Sequence, residues 1–192
     1  QAEDGIRDVE RSRGLGDVYK RQTQRRGQKR NRRKVIKMKK ILLDTTYILP
    51  LLGVEIEIPN LREKIISLAK NFKPMLNSLS ILEAKWKTLK FAKKEPSILE
   101  SFSEGLLFLT RGEVFEIIPF YTYEADLIAT TLYKYHKDYI DCSILASAYI
   151  NADIFITEEK NKMQKLLEQI PPNYNTYRKT STKLTINTIN QL

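Results

Sequence analysis

The sequence predicts an α/β fold: an open, parallel sheet with helices on both faces. Three observations carry this reading. Short uninterrupted apolar runs, "KKILLD" (39 to 44) and "DIFIT" (153 to 157), suit strands covered on both sides. The longer stretches between such runs place apolar residues at helical spacing. One stretch, "DYIDCSILASAYIN" (138 to 151), is apolar almost all round and suits a buried helix.

Taken in order, the strand at 39 to 44 runs into "TTYILPLLG", a helical turn that ends at Gly53. A helix is expected over 60 to 72, with Leu61, Ile65 and Leu68 at i, i+4 and i+7 and Asn60 placed to cap it. "PMLNS" (74 to 78) is a weak second strand. In the helix "SILEAKWKTLKFAKK" (80 to 94), Leu79, Leu82, Trp86 and Leu89 form an apolar stripe. Pro96 suits the first turn of another helix through "SILESFSEGLLFL". "EVFEIIPF" (113 to 120) reads as a third strand, and 122 to 136 and 138 to 151 as consecutive helices. The fourth strand at 153 to 157 is followed by a helix, "EKNKMQKLLEQI", that stops at Pro171 and Pro172. The remainder adds at most one edge strand.

A net charge of +10 ordinarily suggests a nucleic-acid partner held through its phosphates. Here the basicity is confined to one end. Residues 1–37 hold 13 Lys or Arg and 5 Asp or Glu, which leaves only +2 for the rest. The stretch 2 to 22 resembles translated sequencing-adapter read-through, and 23 to 37 reads as upstream sequence in frame, so Met38 is the expected start. The alternative is a genuine basic arm that binds nucleic acid. On either reading residues 1–37 lack a core pattern and are expected to be disordered, and 38–192 is expected to be a single domain. The one cysteine, Cys142, excludes an internal disulfide and suits a reducing cytosol; the one histidine, His136, leaves no ligand set for structural zinc. No run approaches the ~18 apolar residues of a spanning helix, so a cytoplasmic protein with no membrane partner is expected.

In an open α/β sheet, ligands bind beyond the carboxyl ends of the strands. Four segments deliver acids to that edge. Asp44 closes the first strand, Glu83 lies near the start of the helix after the second, Asp141 lies near the start of the buried helix, and Glu158 and Glu159 follow the fourth strand. Each but Asp44 has a structural alternative. "SILE" (80 to 83) matches a capping box, Asp138 suits an N-cap with Asp141 complementing the helix dipole, and the glutamate pair suits a first helical turn. Asp44 sits in an apolar run and has no such role. Carboxylates ~5 Å apart repel by about 3 kcal/mol per pair at an effective dielectric near 20, so the cluster calls for a cation. An oxygen-only set points to Mg²⁺ or Mn²⁺, and that chemistry suits phosphodiester hydrolysis.

"ILLDTTYILPLLG", the "SILE" helix start and "DYIDCSILASAYINADIFITEE", in that order, resemble the PIN domain, particularly the short prokaryotic and archaeal forms that include VapC-type toxins. The resemblance covers 39 to about 168. It implies a Rossmann-like three-layer α/β/α sandwich around a central, mostly parallel sheet of four to five strands. It also implies a Mg²⁺- or Mn²⁺-dependent endoribonuclease acting on RNA, often a homodimer with a cognate antitoxin protein. Carried over by motif, Asp44, Glu83 and Asp141 are the principal metal-holding acids. Thr46 and Thr157 match the hydroxyl positions that orient those acids or a metal-bound water, with Asp138 in support. The family ends this strand with Thr, any residue, then Asp, where this chain has Thr157, Glu158, Glu159. Glu159 is the matching position; its longer side chain leaves two options, action through water or replacement by Glu158.

Lys87, Lys90 and Lys94 follow Glu83 at i+4, i+7 and i+11 and are candidates to line a phosphate path, or else form a solvated face. Tyr121, Tyr123, Tyr133 and Tyr135 are either base-stacking platforms or packing residues. The expectation from another class is a catalytically silent domain of the same shape that binds RNA or a protein.

Overall fold

The computed structural model describes residues 38–54 and 56–192, and the expectations for residues 1–37 lie outside the described residues. The strands β1 (Lys39–Leu43), β2 (Phe72–Asn77), β3 (Glu116–Ile118), β4 (Ile154–Ile156) and β5 (Thr185–Asn187) form one sheet of order β3-β2-β1-β4-β5. Every neighbouring pair is parallel, with Leu43 opposite Leu76 on one side and Ile156 on the other. The C-terminal edge strand thus exists, as β5 beside β4.

The helices are α1 (Thr45–Ile48), α2 (Leu61–Leu68), α3 (Ser78–Phe91), α4 (Ile98–Arg111), α5 (Tyr123–Leu132), α6 (Tyr139–Asn151) and α7 (Lys160–Leu167), with a 3₁₀ turn at Leu49–Leu52 after α1. Successive strand residues point to opposite faces, so each strand feeds two cores. Ile41, Leu43, Leu76, Ile154 and Ile156 pack with Tyr47, Leu52, Ile65 and Phe102. Leu42, Met75, Phe155 and Ile186 pack with Ile128, Leu132, Leu145 and Leu166. This makes an α/β/α sandwich with α6 buried along its length from Cys142 to Ile150. Among the described residues no helix is long and apolar enough to cross a membrane.

Three expectations are corrected. The bulky stripe of α3 faces outward: Leu82, Trp86 and Leu89 are 42%, 49% and 46% exposed, while Ser80, Ala84 and Thr88 are buried. Small residues let the helix lie close to its neighbours, and the Thr88 hydroxyl donates to the Ala84 carbonyl at 2.8 Å, so this polar residue tolerates the interior. Second, "SILE" is not a capping box. Asn77 caps α3, accepting from the Leu79 amide at 2.8 Å, which puts Ser80 in the first turn and Glu83 in the second. Third, Asn60 precedes α2 in a left-handed conformation, φ 54°, and makes no side-chain capping bond.

Two glycines position the chain beyond β1. Gly53 closes the 3₁₀ turn at φ 79°. Gly105 of α4 lies so close to that turn that a Cβ would stand 2.3 Å from the Leu51 carbonyl oxygen and 2.6 Å from the Leu52 Cα.

Candidate active site

From β1 the chain moves out to β2 and β3, then returns to β4 and β5 on the other side of β1. The crevice beyond the carboxyl ends of β1 and β4 is therefore the switch point where such sheets bind ligands. Asp44 follows β1 directly, and Thr157 follows β4. The Asp44 amide continues the ladder to the Ile156 carbonyl at 3.0 Å, which holds the residue at this rim.

The Asp44 carboxylate accepts two hydrogen bonds, from the Thr45 amide at 2.7 Å and the Thr157 hydroxyl at 2.7 Å. Desolvation raises its pKa from 3.8 to about 6, although both bonds act to lower it; the charges of Asp141 and Glu83 add to the rise. That coupling places the three acids, from three distant segments, in one electrostatic neighbourhood.

Glu83 is reached from α3. Its carboxylate accepts from the Thr45 hydroxyl at 2.5 Å and pairs with Lys87 at 2.7 Å, one helical turn on. Thr45 thus bridges the first two acids, its amide donating to Asp44 and its hydroxyl to Glu83; among the described residues no bond of this kind is found for the expected Thr46. Asp138 caps α6 by accepting from the Ile140 and Asp141 amides at 2.9 and 3.3 Å. The cap fixes the turn from which Asp141 projects.

Asp141 Oδ2 meets two groups not anticipated from the sequence: His136 Nε2 at 2.9 Å and Lys162 Nζ at 2.8 Å. Lys162, in the first turn of α7, also donates to Glu159. Burial acts to lower the lysine's pKa, but its bonds to Asp141 and Glu159 outweigh that and raise it. The Glu159 amide in turn donates to the Thr157 hydroxyl at 3.1 Å, so Thr157 ties Asp44 to the loop that carries Glu159. Glu158 turns elsewhere, accepting from the buried Tyr47 hydroxyl, which itself accepts from the Ile189 amide at 3.2 Å.

The donor set fits a hard divalent cation in chemistry: oxygens only, with one partly buried carboxylate that has no cation partner among the described residues. It is not closed around one point. Among the described residues no three of His, Cys, Asp and Glu converge tightly enough to hold an ion. Asp141 and Glu159 face Lys162, while Glu83 faces Thr45 and Lys87. The expected lysine path is also interrupted, since Lys87 pairs with Glu83 and Lys94 lines a separate cavity beside Gly53 and Ser97. Tyr121, Tyr123, Tyr133 and Tyr135 are all exposed. Cys142 is buried and its thiol is pushed up to about 11, chiefly by desolvation, so it is no nucleophile.

Thr45, Tyr47, His136 and Lys162 were missed. The Thr45 and Tyr47 bonds span 38 and 111 residues, which local spacing does not reveal, whereas His136 lies five residues from Asp141 and Lys162 three from Glu159. Lys162 alone left a trace: a lysine in the first turn of a helix opposes the helix dipole.

No family model matches the chain, and neither does any curated protein. Among solved structures, it is similar to the crystal structure of VapBC2 from Rickettsia felis bound to a DNA fragment from their promoter. That match has a TM-score of 0.49 and 17% identity, over 77% of this chain and 98% of the other. A likeness of this degree assigns neither family nor activity.

Proposed function

We propose that the chain is a PIN-like, Mg²⁺- or Mn²⁺-dependent endoribonuclease, of the kind that serves as the toxin partner of an antitoxin protein. One observation carries the reading. Thr45 joins Asp44 at the end of β1 to Glu83 of α3, the charge of Asp141 in α6 also acts on Asp44, and among the described residues the partly buried Asp44 has no cation beside it. Asp44 does cap α1 through the Thr45 amide, a role the sequence did not suggest, but that bond leaves the carboxylate's charge for a cation to offset.

In this reading Asp44, Glu83 and Asp141 would hold the ion, with Glu159 as the fourth acid. Glu158 is the weaker candidate for that place because its carboxylate serves Tyr47. Bound there, the ion would offset charge developing on a scissile phosphate and make a water molecule more acidic. The protein's own part is to hold the acids. Thr157 fixes one Asp44 oxygen, the Thr45 amide fixes the other, the Thr45 hydroxyl orients Glu83, and Asp138 sets the turn of Asp141.

The test is cleavage of a mixed single-stranded RNA by the full chain in Mn²⁺ or Mg²⁺, with EDTA and Asp44→Asn as controls. Cleavage that stops with either control supports the reading; RNA left intact in both metals overturns it. A silent RNA- or protein-binding domain is the second reading. It is favoured by the absence, among the described residues, of a closed ligand set.

A further inference from the structure

Lys162 is poorly explained as a surface residue. Its side chain is 39% exposed and bridges two segments, joining Asp141 of α6 to Glu159 ahead of α7. It does so from the end of a helix where positive charge is unfavourable. The acids it holds are two of those that the proposed centre needs. Beside it opens a cavity of about 500 Å³, lined also by Tyr135, Asn161, Lys165 and Gln169, so the ammonium has a solvated route out.

Resting on the metal-centre reading, we infer that Lys162 is the chain's own occupant of the cation position: its ammonium engages Asp141 and Glu159, must be displaced before a divalent ion is gripped, and so sets the metal affinity of the site. The ion then has to replace two partly exposed ion pairs as well as shed water. Such pairs are individually weak, so displacement is a shift in affinity and not a block. The role belongs to Lys162 and not to Lys165, which lines the same cavity but bonds to neither acid.

The experiment titrates Mn²⁺ into the EDTA-treated, full-length chain and follows thermal unfolding, which registers binding to the folded state without any need for catalysis. Lys162→Gln should half-saturate at about tenfold lower Mn²⁺ than the parent, the scale of two lost surface pairs. Lys162→Arg keeps a cation at the site and should titrate near the parent. Lys165→Gln removes the same charge from the same cavity and should leave the midpoint in place. A Lys162→Gln midpoint equal to or above the parent's overturns the inference while leaving the metal centre standing. An equal shift in Lys165→Gln overturns it too, because general charge then suffices. No Mn²⁺ response in the parent or any variant removes the metal centre and this inference together.

Discussion

Asp44 and Asp141 stand at one rim of one sheet, yet their surroundings treat negative charge in opposite ways. Asp44 is steadied by an amide and a hydroxyl, with no cation beside it among the described residues, and burial raises its pKa to about 6. Asp141, its side chain 22% exposed, meets Lys162 and His136 at one oxygen. Among the described residues Asp44 itself meets no cation, whereas Glu83 pairs with Lys87 and Asp141 with Lys162. The difference teaches that a shared edge does not imply a shared electrostatic state. It also teaches that the acid without a cation is where an outside ion gains most.

The largest expected effect tests that asymmetry directly. Asp44→Asn should lower Mn²⁺-dependent RNA cleavage by about 100-fold or more and abolish metal-induced stabilisation, read by a cleavage time course and by thermal unfolding. Retained activity would mean that the lysine-paired acids suffice alone.

Next comes a pH effect in the metal-free chain. Because the folded Asp44 pKa is raised from 3.8 to about 6, the folded state holds this proton more tightly than the unfolded chain. Stability contributed by the protonated acid is therefore complete below about pH 4 and is lost as pH rises through about 6, by about 3 kcal/mol in all. Urea unfolding across that window should show the loss in the parent and not in Asp44→Asn, which should be the more stable of the two at pH 7. Identical profiles would place Asp44 in an ordinary aqueous setting.

A smaller effect separates Thr157 from Thr46. Thr157→Val should cost about 1.5–3 kcal/mol at pH 7, since it removes a bond to an ionised group, whereas Thr46→Val should stay within about 0.5 kcal/mol. Equal costs in chemical denaturation would contradict the assigned bridge. The smallest contrast concerns the glutamate pair. Glu158→Gln should lower stability by about 1 kcal/mol through Tyr47 and leave the Mn²⁺ midpoint unmoved, while Glu159→Gln should move the midpoint with little change in stability. The reverse pattern would make Glu158 the fourth acid.

The strands were legible because the part of a parallel strand buried on both faces must be apolar throughout, as "ILL" of β1 and "IFI" of β4 are. The rim acids were legible by connectivity: parallel strands with returning helices leave few edges for Asp44, Glu83 and Asp141 to reach. What failed was the rule that the bulky side of an amphipathic helix faces inward. In α3 the small Ser80, Ala84 and Thr88 allow a close approach that Trp86 and Leu89 would prevent. The partners of the acids failed for another reason. Pairings such as Thr45 with Glu83, or Lys162 with Asp141, arise only once separate elements dock, and nothing in the spacing of the residues encodes them.

Gly105 gives the first part of this rim a distant dependence. Its bare backbone rests on the Leu51 carbonyl, in the turn that leads away from Asp44. An added methyl group there would act as a wedge between α4 and that turn. Strain would travel seven residues back along the chain to the β1 carboxylate, so a helix on the far side of the turn would govern how the acid is aimed without touching it.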